Sequence, residues 1–408
     1  MGNRALIFTF LLLLIPGVLF AQSDRYTFNF APDAWYNEVD GIRLGARILG
    51  EMEGTFQDGP HRLDAGVWLG TAFPDQPVSY YLSFTEPIPA ISSLGSEGNI
   101  QLESSIRTGY SQHALYLNKR WQRGFNELNF REVSVSFSQE KQFEFQYRPY
   151  PQLWHDQWKS LLGMSFWLSE DREQSKFDLK VDLSQNVGTN SEAFTVGMVE
   201  LKEQIQLSKV FKLRVRGFGG YASDNTSPEF LFGYSYRQPV EWLNNGVSRA
   251  KGTLPGSWLN DGLFNISGGA NLRGYTRHDF SVLESGGFPQ YRSIAALNTE
   301  IEFPNFINSR LDKSIIGDFL HLRSYMFFDL GKTFDENINS IPGLQDDPNL
   351  LADAGLGIQF SINIPDYLGK DRGFAIRYEV PFWLSDPLGN QNNFKYRNLI
   401  GIGAVISL

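Results

Sequence analysis

"KFDLKVDLS", residues 176–184, places Phe177, Leu179, Val181 and Leu183 at every second position, with Asp178, Lys180 and Asp182 alternating between them. A surface helix repeats its apolar residues every three or four positions. A period of two instead puts these four on one face of an extended strand and the charges on the other. The pattern recurs along the chain. In 141–147, Phe143, Phe145 and Tyr147 oppose Gln142, Glu144 and Gln146. In 373–382, Phe374, Ile376, Tyr378, Val380 and Phe382 oppose Arg377 and Glu379. In 400–408, Ile400, Ile402, Ala404, Ile406 and Leu408 oppose Gly401, Gly403, Val405 and Ser407. Each stretch predicts a strand with one wholly apolar face.

Two all-β architectures make such strands: a soluble sandwich with its polar faces in water, or a barrel with its apolar faces in lipid. Length separates them. Many runs reach 9 residues or more, close to the ~9–11 that a tilted strand needs to cross a bilayer. Trp121, Tyr147, Trp167, Tyr325 and Trp383 lie near run ends, where interfacial aromatic girdles form. Aromatic and glycine content agree: 59 residues are Phe, Tyr or Trp and 39 are Gly, which suits strands and turns better than helices.

The chain begins with Met1-Gly2-Asn3-Arg4, an apolar run from Ala5 to Ile15, then Pro16-Gly17 and Ala21. This is the order of a secretory signal peptide, expected to span 1–21. Loss of that segment removes Arg4 and no acid, leaving 35 Lys+Arg against 45 Asp+Glu. An acidic chain lacks the basic face that nucleic acid requires, so no nucleic-acid partner is expected. There are no cysteines, which excludes disulfides and thiolate metal sites. After the signal no run approaches ~18 apolar residues, so any membrane crossing must be made by strands.

The resulting expectation is a single antiparallel transmembrane β-barrel over 36–408, preceded by a short periplasmic segment, 22–35. Eleven strands are predicted before a long loop at about 223–290, centred near 45, 66, 81, 103, 116, 132, 144, 164, 179, 199 and 216. Five follow, at about 292–303, 319–330, 354–363, 373–383 and 399–408. Sixteen is an even number, as bacterial single-chain barrels have. The apolar phase slips at Arg131-Glu132, which predicts a bulge there.

Within the loop, "GGANLRGYTRHD" (268–279) holds Leu272-Arg273-Gly274-Tyr275. This unit resembles the Val/Ile-Arg-Gly-Phe/Tyr motif of the BamA/TamA-type outer-membrane assembly and transport superfamily, with Leu272 a mild departure. "IEFPNFI" (301–307) is similar to that family's Leu-Glu-Phe segment, and "YMFFDLGKTF" (325–334) to its Phe-x-Asp-x-Gly segment, which here ends on Asp329 and Gly331. "ADAGLGIQFSI" (352–362), "GFAIRYEVPFW" (373–383) and "IGIGAVISL" (400–408) resemble the last three strands. Over 36–230 the resemblance is architectural, apart from a first-strand-like "YNEVDGIRLGARI" (36–48). It implies sixteen strands with the long loop folded into the lumen. The family's periplasmic substrate-binding repeats do not fit in 22–35, so the chain resembles a barrel-only member. Terminal Leu408 departs from the family's usual aromatic.

Parity then assigns faces. Leu320, Leu322, Met326, Phe328 and Leu330 share the lipid side, so Asp329 points inward. Leu297, Ile301 and Phe303 face lipid, so Asn298, Glu300 and Glu302 face inward. Arg273 is expected to meet Glu302 and Asp329 on adjacent strands, as a plug latch with Gly331 in the same wall. Guanidinium–carboxylate contacts are charge-assisted and can be bidentate. Gly274 permits close backbone approach, and Tyr275 adds a packed, hydrogen-bonding cap.

Gly41 and Gly45 near the first strand and Gly401 and Gly403 in the last are consistent with a weakly packed seam, or equally with barrel curvature. No catalytic spacing is found among His61, His113, His155, His278 and His321, and there is no nucleophile elbow or phosphate loop. No enzyme activity, cofactor or metal is expected; the acidic "DDPNLLAD" (346–353) reads as a solvated turn. The resemblance implies a barrel that inserts, assembles or translocates polypeptides. Its partners would be outer-membrane lipid and a polypeptide substrate or separate periplasmic protein. A passive channel or an anchor for such a protein are the alternatives.

Overall fold

Alternation becomes strand along most of the chain. The structure is a computed structural model and describes residues 26–37, 40–52, 62–72, 77–122, 128–143, 153–188, 191–244, 263–265, 268–276, 289–305, 307, 320–335, 350–365, 371–387 and 391–406. The first half gives β1 (Tyr26–Asn37), β2 (Gly41–Met52), β3 (Arg62–Gly70), β4 (Val78–Pro87), β5 (Ser96–Arg107) and β6 (Tyr110–Gln122). It continues with β7 (Phe130–Gln142), β8 (Lys159–Asp171), β9 (Ser175–Asn186), β10 (Phe194–Gln206) and β11 (Lys212–Ala222). A two-residue strand, β12 (Phe264–Asn265), lies within the long loop. Then come β13 (Ser293–Phe303), β14 (Leu320–Thr333), β15 (Leu351–Pro365), β16 (Asp371–Leu384) and β17 (Leu399–Ile406).

All belong to one sheet of 17 strands. Each long strand pairs antiparallel with the next, and β11 pairs with β13 across the loop. The β5–β6 connection shows the local logic. Thr108 and Gly109 both take positive φ, 51° and 70°, the geometry that turns a two-residue hairpin with the right twist.

The long strands number sixteen, eleven before the loop and five after, but two assignments differ from the sequence reading. Residues 26–37, expected within or beside a short N-terminal segment, form β1. Pro32 breaks the alternation there. The run centred on 132 is β7, which ends at Gln142 and has continuous registers to β6 and β8; residues 144–152, with most of the run centred on 144, lie outside the described residues. No bulge sits at Arg131-Glu132. Phe130 simply faces inward, buried with the Arg120 guanidinium 3.9 Å from its ring. A register shift occurs instead at Ala354/Gly355, between β15 and β16.

The two faces of the sheet differ in kind. On the outer face Leu297, Ile301, Met326, Phe328, Leu356 and Ile358 are exposed on three neighbouring strands. A contiguous apolar surface of this extent is unfavourable in water and favourable in hydrocarbon. The inner face is polar and holds the loop. Tyr325 and Trp167, expected in girdles, face inward; Trp121 is exposed, Trp383 is half-buried, and Tyr147 lies outside the described residues.

The loop also shows how the sheet curves. Glu229 of the loop pairs with Lys159 at the start of β8, with both side chains buried. Further along the same loop, β12 pairs with β17. One loop can reach strands so far apart in sheet order only if the sheet curls round it. Phe230, Phe232, Leu272 and Tyr275 of the loop pack with Val196, Phe218, Ile294 and Leu384 of the wall in one apolar cluster.

Candidate functional site

Tight backbone geometry brings the motif to the wall. Gly269 and Asn271 have φ of +57° and +53°, the left-handed region that glycine and asparagine enter most readily. A Cβ on Gly269 would lie 2.7 Å from the Tyr236 carbonyl oxygen. The Leu272 N–H donates to the Tyr234 carbonyl at 2.9 Å, and Arg273–Tyr275 then forms a single 3-10 turn.

Arg273 is 1% exposed and nearly saturated with acceptors. Its Nε and Nη2 donate to the two oxygens of Asp329 at 2.8 and 2.7 Å, a bidentate fork. Its Nη1 donates to Glu300 at 2.7 Å and to Glu379 at 2.9 Å. Its backbone N–H also reaches Asp329, at 3.3 Å. The guanidinium carbon lies 3.9 Å from the centre of the Phe327 ring. Burial by itself pulls the guanidinium pKa down, but Asp329 and Glu379 outweigh it and hold the pKa well above its ordinary value. The arginine thus stays charged and ties β13, β14 and β16 to the loop.

The sequence reading placed Glu302 and Asp329 opposite Arg273. Asp329 is there, whereas Glu302 is engaged elsewhere, 3.3 Å from Arg214 and 3.0 Å from Arg323. Glu300, two residues earlier on the same face, takes its place. Two residues along a strand is about 6–7 Å, more than a salt bridge spans. Gly331 serves as a seat: a Cβ there would lie 2.5 Å from Leu272 Cδ1. Gly274 fits against β15 and β16, where a Cβ would meet Leu384 and Asp353 at 2.3 and 2.7 Å. The Tyr275 hydroxyl contacts Ser385 Oγ at 3.2 Å, donates to the Ala352 carbonyl at 3.4 Å and accepts from the Asp386 N–H at 3.2 Å.

Several wall residues hold the loop without having been singled out from sequence. Asn298 donates to the carbonyls of Ala270 and Asn271 and to Asp329 at 3.1–3.2 Å. Arg216 donates to the Gly269 carbonyl and to Asn298, both at 2.7 Å, while its Nε reaches Glu200. Tyr325 donates to Glu379 at 2.7 Å, and Arg323 bridges Glu300 and Gln359. Inward parity was their only signal.

The seam glycines are not brought together. Gly41 (φ +69°) turns β1 into β2, and Gly45 lies in β2, where a Cβ would strike the Val67 carbonyl and the Trp68 ring. Both belong to the second strand because β1 precedes them. Gly401 lies beneath the Arg377 guanidinium, and Gly403 pairs with Ala375. Among the described residues no group of three or more His, Asp or Glu is placed to hold a metal ion. His61 and His278 lie outside the described residues, as do 346–349 of the acidic segment.

No family model matches the chain, and no curated protein matches it. Solved structures do. BamA from Haemophilus ducreyi lacking POTRA domains 1-3 aligns over 94% of this chain and 71% of that one, at 11% identity and a TM-score of 0.48. CdiB from Escherichia coli aligns over 94% and 63%, at 8% identity and a TM-score of 0.41. CdiB from Acinetobacter baumannii aligns over 94% and 60%, at 13% identity and a TM-score of 0.39. The chain spans less than two thirds of either CdiB structure.

Proposed function

We propose that this chain is an outer-membrane β-barrel of the BamA/TamA type, and that it inserts, assembles or translocates polypeptides at that membrane. The observation that carries this reading is the clamp. A simple diffusion pore needs an unobstructed lumen. Here a long loop is drawn onto the inner wall by one buried arginine with three acidic partners, inside a motif resembling that family's. The apolar outer face supports the membrane setting, because a contiguous apolar surface is costly in water and favourable in hydrocarbon.

Depletion of the protein in its host, followed by quantitative profiling of the outer membrane and the medium, tests this reading. A polypeptide-handling barrel leaves one or more surface or secreted proteins depleted or stranded in the periplasm. An unchanged profile, together with large stable conductance of the purified wild-type protein in planar bilayers, would overturn it in favour of a channel. An unchanged profile with no conductance, and a periplasmic protein released from the membrane on depletion, would favour an anchor.

A further inference from the structure

The last strand has two edges, and the chain itself fills part of the second. Along one edge β17 pairs with β16, from Leu399↔Glu379 to Ile406↔Arg372. Along the other lies β12, parallel, with Phe264 opposite Ile400 and Asn265 opposite Gly401. The Ile400 N–H donates to the Leu263 carbonyl at 2.6 Å. Among the described residues β12 is the strand that pairs with this second edge of β17.

The pleat of β12 matches the wall. Asn265 is fully buried and shares a row with Gly401 and the inward Arg377, which donates to its Oδ1 at 3.5 Å. Phe264 shares the other row, with Ile400 and Tyr378. A one-residue slip would turn Asn265 outward and Phe264 inward, so the pattern sets the register. Gly401 has a definite use here: a Cβ would lie 2.6 Å from Arg377 Nε and Nη2, so glycine lets that side chain lie across β17 toward Asn265.

The same two residues are tied to the clamp. Tyr236 donates to the Phe264 carbonyl at 2.7 Å. The Asn265 amide donates to the Ser235 carbonyl and to Thr276 Oγ1, both at 3.0 Å. Thr276 Oγ1 in turn donates to the carbonyl of Arg273 at 2.9 Å. One side chain therefore separates the edge strand from the residue that anchors the loop.

We propose that β12 is a built-in edge cap: the long loop supplies the strand that occupies the second edge of β17, and cap and arginine clamp engage as one unit. Releasing Arg273 from the wall uncovers the Ile400–Gly401 edge, and engaging it covers that edge again. The device is independent of what the barrel transports.

The cysteine-free chain makes the test direct. Phe264→Cys with Ile400→Cys places two thiols on paired residues of neighbouring strands, ~4.8 Å apart in the ladder and within disulfide reach. Phe264→Cys with Tyr378→Cys lies one strand further and serves as the control. In native membranes under mild oxidant, the first pair is expected to give a shifted band on a non-reducing gel and the control none. Adding Arg273→Ala is expected to cause several-fold loss of that band while the protein stays heat-modifiable. No crosslink in the otherwise wild-type chain would overturn the cap. A crosslink that forms equally well with Arg273→Ala would overturn its coupling to the clamp. Should Arg273→Ala fail to fold, hydrogen exchange at the Ile400 amide in Asn265→Ala decides the matter: exchange is expected to speed up, and unchanged protection would overturn the proposal.

Discussion

Arg273 is a buried cation whose value lies in geometry more than in charge. Replacing it with alanine leaves Asp329, Glu300 and Glu379 facing one another without their shared partner, a loss expected to cost about 3–5 kcal/mol locally. Lysine restores the charge but not the fork, so Arg273→Lys is expected to recover only part of it. Denaturant unfolding of refolded protein in vesicles, with loop proteolysis as the local readout, measures both; equal stability of all three forms would show the clamp to be incidental. Arg214, Arg273, Arg323 and Arg377 meet five acids: Glu300, Glu302, Asp329, Glu379 and Asp353, the last fully buried directly across the ladder from Asp329. Asp353→Asn keeps the shape and relieves the close approach of two buried carboxyl groups, so its unfolding midpoint should equal or exceed that of the wild type. Asp329→Asn, which weakens the fork itself, should lower it. If the two variants shift in the same direction by the same amount, this ranking of the two acids is wrong.

At the scale of elements, glycines with opposite surroundings give a matched test of how the loop is seated. Gly274→Ala drives a methyl into Leu384 and Asp353 and is expected to destabilise by ~1–3 kcal/mol, while Gly217→Ala in β11 meets nothing within 4 Å and should be silent. Similar effects in both would mean that the loop is not seated against β15 and β16. Parity made much of this legible beforehand. Period-two alternation put Asp329 and Glu300 inward and Phe328 and Ile301 outward, and the long strands fall where the five C-terminal runs were read. Height along the strand was not legible. Alternation fixes a side chain's face but not its level, so Glu302 and Glu300 were indistinguishable until the loop was docked. Two features were hidden by their own chemistry. Pro32 interrupts the pattern of β1, which moved the apparent seam to glycines of β2. Phe130, an apolar residue facing inward, imitated a phase slip in β7. The cap at β12 was out of reach for another reason: two residues carry no periodicity.

For the whole molecule, the clamp sets what the lumen offers to ions. The loop contacts the wall from β8 to β17, and its removal would expose a lumen lined near the clamp by Glu300, Asp329, Asp353 and Glu379. Rings of acids favour cations. Wild-type protein in planar bilayers should therefore conduct weakly, because the loop is held in place. Arg273→Ala is expected to conduct more and to shift the reversal potential under a potassium chloride gradient toward cation selectivity. Both effects have one origin: the same substitution frees the plug and strips the acids of their shared counter-charge. Arg273→Lys should fall between the two in conductance but stay near wild type in selectivity, since it weakens the hold while keeping the positive charge. If Arg273→Ala raises conductance without altering selectivity, the ions pass by a route that avoids the acidic wall, and the loop is displaced elsewhere than at the clamp. If neither quantity changes, the loop does not gate the lumen.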